Sequence, residues 1–360
     1  MKVFSAGGVA RRHRWVQVLV AGLVLAWGLL QASRGAWGWV LGGVLLPVLL
    51  PALAVALECL MSALFHAGDT SPRAGWRAWL RACGAEIGWC YRLFGWVQPW
   101  AEARFPDRPQ GRPGRGGSRG VLLVHGYTCG RGMWQPWQAE LDRAGIPYVC
   151  VDLLPMFGSI EHYAPLIEQG LRELHRATGR APVVVAHSMG GLAVRAWWRW
   201  AQRVQGQGAQ AVTARVAAVL TLGTPHRGTV LARAGLTTNA RQMRQRSAWL
   251  QALAAAETPA WRARFTCVYS HCDNVVFPPL QATLDGAAAL PLPGRAHLEM
   301  VFDPLVWQQV LALLRQAPAA SEVEGAQQAI GGEGRQARQR AEQGQQPGVV
   351  GVDSGIGLLG

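Results

Sequence analysis

The sequence predicts an α/β domain, a mostly parallel sheet covered by helices on both faces, preceded by an N-terminal transmembrane helical hairpin. Three observations carry this. Two apolar runs without formal charge stand near the start, at 15–32 and 36–57. From Val121 onward, short apolar or β-branched runs alternate with helical periodicities. Half of the 360 residues are hydrophobic while only 16% are charged, against roughly a quarter in ordinary soluble domains. That pairing excludes a disordered chain and argues against a simple soluble globule.

Residues 1–72 read as a membrane anchor. WVQVLVAGLVLAWGLLQA (15–32) and AWGWVLGGVLLPVLLPALAVAL (36–57) are each near the length a bilayer core requires, about 20 apolar residues. The connection between them is short, which predicts a hairpin. Pro47 and Pro51 are tolerated inside a membrane span, and Trp15, Trp37 and Trp39 sit near run ends, where indoles favour the headgroup region. Lys2, Arg11, Arg12 and Arg14 precede the first run, only Arg34 lies in the connection, and Arg73, Arg77 and Arg81 follow the second. The positive-inside rule therefore places both ends in the cytoplasm of a bacterial-type inner membrane, as a multi-pass protein with its main domain inside. A cleaved signal peptide is the competing reading of the first run, and no clear Ala-x-Ala site follows it.

Residues 73–119 predict an amphipathic interfacial helix and a linker. Trp76, Leu80, Cys83, Ile87, Cys90, Phe94 and Val97 recur at three- and four-residue steps, with Arg77, Arg81 and Arg92 on another face. Arginine opposite tryptophan suits an anionic lipid surface, and packing against the downstream domain is the alternative. RFPDRPQGRPGRGGSRG (104–120) then marks a boundary. The main domain is expected at 120–316, with strands at VLLVH, PYVCV, PVVVAH, AAVLTLG and RFTCVYS. Residues 317–360, rich in glutamine and glycine, predict a disordered tail.

The formal charge of +14 rests on 35 basic residues, all arginine but Lys2. Its excess concentrates around the apolar runs and the linker, and no nucleic-acid motif accompanies it, so nucleic-acid binding is not expected. Seven cysteines form neither a CxxC nor a paired framework. No metal site and no cofactor are predicted.

The strongest local signal is PVVVAHSMGGL (182–192), an apolar strand running into His187, Ser188, Met189 and a helical stretch. This predicts a nucleophile elbow, a sharp strand-to-helix turn that lifts a serine clear of the sheet. The turn needs small residues two before and two after the serine, and Ala186 and Gly190 fill those places. Serine is a poor nucleophile unless a base lies within hydrogen-bond reach. The chain order serine, acid, histidine leaves His226, His271 and His297 as downstream bases. His297, between a loop and the last amphipathic helix, is the expected one. Glu257, Asp273 and Asp285 are the acids in range, and Asp273 is favoured because it follows the strand RFTCVYS, with Asp285 as fallback. For the oxyanion, VLLVHGYTCG (121–130) brings His125 and Gly126 to the end of the first strand. The backbone N–H groups of Tyr127 and Met189 are the predicted donors, with Gly126 and His187 as support. Cys129 reads as a pocket residue.

VHGY, AHSMGG, LGTPHRGT, SHCDNVV and GRAHLEMV together resemble the α/β-hydrolase superfamily, and within it bacterial lipases, esterases and GPI inositol-deacylase-like hydrolases. The resemblance covers about 120–316. Ala186 departs mildly from the usual glycine, as in one group of bacterial lipases. The resemblance implies an α/β-hydrolase fold in which Ser188, Asp273 and His297 form a triad that cleaves carboxylic esters, acyl or lipid, through an acyl-enzyme. Residues 229–260 read as a short cap over the acyl pocket. Acyl transfer by the same triad is the second reading, and a non-catalytic membrane scaffold the third. The oligomeric state and the identity of the ester are not legible from sequence.

Overall fold

The computed structural model describes residues 8–65, 69–101, 106–111 and 119–315. The expected tail and most of the Pro/Gly/Arg linker lie outside the described residues.

The two apolar runs fold as long helices, α1 (Gly8–Ser33) and α2 (Trp37–Leu64). At 1.5 Å per residue they span about 39 and 42 Å, more than the roughly 30 Å of a hydrocarbon core. Both are long and apolar enough to cross a membrane, and leucine, valine and tryptophan side chains stand exposed along them. They pack as a hairpin, with the indole N–H of Trp27 donating to the carbonyl of Trp39 at 3.0 Å. Each helix is longer than its apolar run. α1 starts at Gly8, and α2 continues two turns past residue 57. Those extra turns carry Glu58, Cys59 and Ser62, of which Cys59 and Ser62 are buried.

The next stretch is α3 (Trp76–Cys90), which passes without a break into a π-helical segment at Tyr91–Ala101. The expected apolar stripe is rearranged. Trp76, Leu80, Trp96 and Trp100 are exposed, whereas Ala82, Glu86, Leu93, Val97 and Gln98 are buried. The wider π winding rotates the second half of the helix relative to a 3.6-residue projection. One face of this stretch therefore packs on the main domain, with Trp89 stacked on Phe302, while Trp76, Trp96 and Trp100 point away.

The sheet has six parallel strands in the order β2-β1-β3-β4-β5-β6. They are β1 (Val121–Val124), β2 (Tyr148–Val151), β3 (Val183–His187), β4 (Ala218–Leu222), β5 (Phe265–Tyr269) and β6 (Ala288–Pro291). The first four are buried throughout, which is why they read as unbroken apolar runs rather than alternations. The sequence pattern missed β6: it is alanine-rich, largely exposed, and ends in proline at the sheet edge.

Between the strands run α4 (Gln135–Ala144), α5 (Ala164–Thr178), α6 (Met189–Gln205), α7 (Ala209–Ala214), α8 (Thr238–Gln242), α9 (Ala248–Ala256) and α10 (Pro259–Arg262), and α11 (Pro304–Arg315) follows β6. One face of the sheet packs on α5 and α6, where Trp197, Trp198 and Trp261 are fully buried. The other face packs on α4, α11 and the π-helical segment, which contributes Leu93 and Val97. β1 lies between β2 and β3, so the chain leaves β1 first to one side and then to the other. That reversal makes the ends of β1 and β3 the switch point, the usual ligand position in open parallel sheets.

Candidate active site

Ser188 sits at this switch point, between the end of β3 and the start of α6. Its φ of 53° and ψ of −128° belong to a region that L residues rarely occupy, a strain of about 1–3 kcal/mol that surrounding structure must hold. Several contacts do so. The Ser188 N–H donates to the carbonyl of Leu222 at 2.8 Å, continuing the ladder between β3 and β4. The Ser188 carbonyl accepts the hydroxyl of Thr224 at 2.8 Å. Gly190 lies against the end of β1, where a Cβ would come within 2.6 Å of the His125 carbonyl. Ala186 is fully buried beneath the turn. Ser188 thus precedes the first turn of a 17-residue helix, whose free N–H groups and dipole favour negative charge.

Asp273 and His297 meet against Gly223, just past the end of β4. The Nδ1 of His297 lies 3.0 Å from Asp273 Oδ2, and both side chains are buried. The other carboxylate oxygen accepts the N–H groups of Val275 and Val276 at 2.8 Å each, which fixes the carboxylate plane. With Nδ1–H engaged by the carboxylate, Nε2 is left as the proton acceptor. Burial works to lower the imidazole pKa, but the charge and hydrogen bond of Asp273, helped by Glu86, outweigh it and hold it above the usual 6.5. The His187 ring lies against this one, tilted by 49° at a centroid distance of 4.6 Å. Burial and the neighbouring His297 keep His187 well below the ordinary histidine range, hence neutral.

The loop after β1 closes the other side. Gly126 approaches so closely that a Cβ there would lie 2.7 Å from the Ser188 Cβ. Tyr127 follows, its hydroxyl 3.1 Å from Thr237 Oγ1 in the 229–260 segment and its ring against Phe157. Asn239 of the same segment bonds to the Met156 carbonyl at 2.8 Å and touches Met189 Sδ at 3.6 Å. Thr237 and Asn239 of this segment therefore lie against the β1 loop and the elbow. Phe157 and Leu236 present apolar side chains outward nearby.

The competing candidates are placed elsewhere. Asp285 is exposed and pairs with Arg227 at 2.6 Å. Glu257 is buried in a two-point pair with Arg195, at 2.6 and 2.9 Å. His226 bonds to Thr221 at 3.0 Å, and burial drives its pKa well down. Cys129 is buried, and that burial pushes its thiol up to about 12, which disqualifies it as a nucleophile near neutral pH. Among the described residues no group of histidine, cysteine and carboxylate side chains is arranged to hold a metal ion.

Sequence reasoning passed over four contributors. Gly223, in the LGTPH segment, has a φ of +55°, and a Cβ there would sit 2.9 Å from both Asp273 Oδ2 and His297 Nδ1. Only glycine leaves room for that pair. Asn274 accepts the His297 N–H at 3.2 Å through its side-chain oxygen. Glu86 takes the N–H of Leu298 at 3.0 and 2.9 Å, and Ser62 donates to the Asp273 carbonyl at 2.7 Å. The glycine motif was visible; the last two act across more than 200 positions of sequence and carried no local signal.

Structural likenesses include a Bacillus licheniformis lipase in its mature form, 16% identical over 57% of this chain and 94% of that one, with a TM-score of 0.47. Aspergillus fumigatus lipase B is 17% identical, covering 58% of this chain and 55% of the lipase, with a TM-score of 0.46. A phospholipase from Legionella pneumophila is 13% identical, covering 62% and 65% respectively, with a TM-score of 0.43. No curated protein matches the sequence. The alpha/beta hydrolase family profile matches residues 121–353, which takes in every strand of the sheet and the whole Ser188 elbow. The chain belongs to the alpha/beta hydrolase family.

Proposed function

We propose that this chain is a membrane-anchored serine hydrolase that cleaves carboxylic esters of lipids or other acyl compounds, using Ser188, His297 and Asp273. The observation that carries this is the buried His297–Asp273 pair, 3.0 Å apart, in a chain that also holds Ser188 on a strained strand-to-helix turn. Ser188 Oγ attacks the ester carbonyl as His297 Nε2 takes its proton. The N–H groups of Tyr127 and Met189 receive the negative charge that develops on the carbonyl oxygen. Collapse of the tetrahedral species breaks the acyl–oxygen bond, and the departing alcohol takes the proton from His297. Water then attacks the acyl-enzyme, gives its proton to His297, and releases a carboxylic acid as Ser188 regains its hydrogen. Asp273 holds the imidazole in orientation and stabilises the imidazolium. The scheme uses no cofactor.

The domain assignment follows the same reading. Residues 1–72 serve as the anchor, 73–119 as interfacial helix and linker, 120–316 as the catalytic domain and 317–360 as a tail. The basic flanks of the apolar helices place the catalytic domain in the cytoplasm, with a lipid or other acyl ester at the inner membrane face as substrate. The outward Trp76, Trp96 and Trp100, with Arg77 over the Trp76 ring and Arg14 over the Trp100 ring, suit the headgroup region. Hydrolysis of p-nitrophenyl esters of increasing chain length by the full chain, against Ser188→Ala, tests the activity. Turnover is expected in the parent alone, rising toward long acyl chains. Equal rates in both proteins contradict the assignment.

A further inference from the structure

The N-terminal segment reaches all three loops of the candidate active site. At the acid loop, the hydroxyl of Ser62 on α2 donates to the Asp273 carbonyl at 2.7 Å. One turn earlier, Glu58 accepts the side-chain amide of Asn274 at 2.9 Å, and Asn274 accepts the His297 N–H. At the histidine loop, the Glu86 carboxylate caps the N–H groups of Leu298 and, at 3.4 Å, Glu299. Arg81 on the same helix pairs with Glu299 at 2.7 Å. At the β1 loop, the fully buried amide of Gln98 grips both sides, donating to the Thr128 carbonyl at 3.1 Å and accepting the Gly130 N–H at 2.8 Å. Val9 of α1 packs against Gly130.

A tether needs none of these bonds. We propose that the hairpin and the helix after it form part of the catalytic centre, with Ser62, Glu86 and Gln98 as positioning residues for the acid, histidine and oxyanion loops. This rests on the ester-hydrolase reading above. Glu86 gives it the sharpest edge. It is 2% exposed, and among the described residues no arginine or lysine forms an ion pair with it. A neutral side chain would be cheaper to bury there, and burial does push the Glu86 carboxyl up to about 7. A carboxylate at this place holds the N–H group that follows His297 and, when ionised, favours the protonated imidazole reached during attack. The other ionisable groups around it are Asp273, Glu58, Glu299 and the thiols of Cys59, Cys90 and Cys129. Burial holds the Cys90 and Cys129 thiols above their ordinary range, so they stay neutral near pH 7.

The test uses the full chain in detergent micelles or lipid vesicles, with a p-nitrophenyl ester, and compares wild type with Glu86→Gln, Gln98→Met, Ser62→Ala and Ser62→Thr. Thermal unfolding is followed alongside. Glu86→Gln is expected to lower kcat about tenfold with KM unchanged, and to move the acid limb of the pH profile about one unit lower, the equivalence of one pK unit with a tenfold change. Gln98→Met and Ser62→Ala are expected to lower kcat at constant KM, and Ser62→Thr, which keeps the hydroxyl, to recover most of it. Wild-type kcat in Glu86→Gln, Gln98→Met and Ser62→Ala overturns the proposal while leaving the triad intact. A slower Glu86→Gln whose acid limb does not move reduces Glu86 to a structural cap and overturns its electrostatic role. No hydrolysis by wild type, with Ser188 unreactive toward a fluorophosphonate, removes the ester-hydrolase reading itself.

Discussion

Gly223→Ala isolates the Asp273–His297 contact without touching either residue. The added methyl would lie 2.9 Å from Asp273 Oδ2, 2.9 Å from His297 Nδ1 and 3.0 Å from His297 Cε1. Ordinary carbon contacts need about half an ångström more, so the pair must separate or tilt by that amount. A 3.0 Å hydrogen bond stretched to about 3.5 Å is no longer an effective one. Misplacement on the scale of 1 Å costs about 10²-fold in rate, and complete loss of the carboxylate's hold on the imidazole costs up to about 10⁴. The backbone adds its own cost, since an L side chain at a φ of +55° loses about 1–2 kcal/mol. The expected result is therefore a folded protein, slightly less stable, with kcat down by about 10²–10⁴. Steady-state hydrolysis of a p-nitrophenyl ester, with near-ultraviolet circular dichroism to confirm folding, measures both. A Gly223→Ala protein with kcat within threefold of wild type would refute the placement of the pair at the centre of catalysis.

Two further outcomes follow from the buried charges. Because the base must be neutral to accept the serine proton and its pKa is raised, kcat/KM is expected to fall as pH drops through a value above 6.5; an acid limb below pH 6 contradicts the environment assigned to His297. Arg195→Met leaves the Glu257 carboxylate buried with only Arg262 nearby, at 3.2 Å, and is expected to destabilise the fold by about 3 kcal/mol. Thermal unfolding measures this, and an unchanged midpoint refutes it.

What the sequence disclosed and what it hid divide along one physical line. The central strands were legible because parallel strands buried on both faces are continuous apolar runs, and the elbow was legible because its sterics demand Ala186 and Gly190 around Ser188. Asp273 was favoured over Asp285 by the strand before it, and the structure sets Asp273 against His297 and Asp285 on the surface against Arg227. β6 was hidden because an exposed, alanine-rich edge strand lacks a hydrophobic signature. The apolar stripe expected after residue 73 splits, with Trp76 and Leu80 exposed and Val97 buried, as a π segment from Tyr91 turns the second half of the helix off the 3.6-residue period. Glu58, Ser62, Glu86 and Gln98 were illegible in principle from local pattern. A polar residue at the end of an apolar helix looks like a solvated flank until the partner loop, far along the chain, is seen to close on it.

The integration of the N-terminal helices also bears on where the site stands. Ser62 lies five residues beyond the apolar run that ends at Leu57, a rise of about 8 Å along the helix. If that run occupies the hydrocarbon core, the acid loop stands close to the membrane surface, within reach of an ester held at the headgroup level.

Covalent trapping of Ser188 is the most direct test of the central claim. The full chain is treated with an alkyl fluorophosphonate, digested, and the peptide carrying Ser188 is weighed by mass spectrometry. A single phosphonyl adduct on Ser188, lost in Ser188→Ala and strongly slowed in His297→Ala, is the predicted result. An unmodified Ser188 peptide from protein that still hydrolyses esters would contradict it.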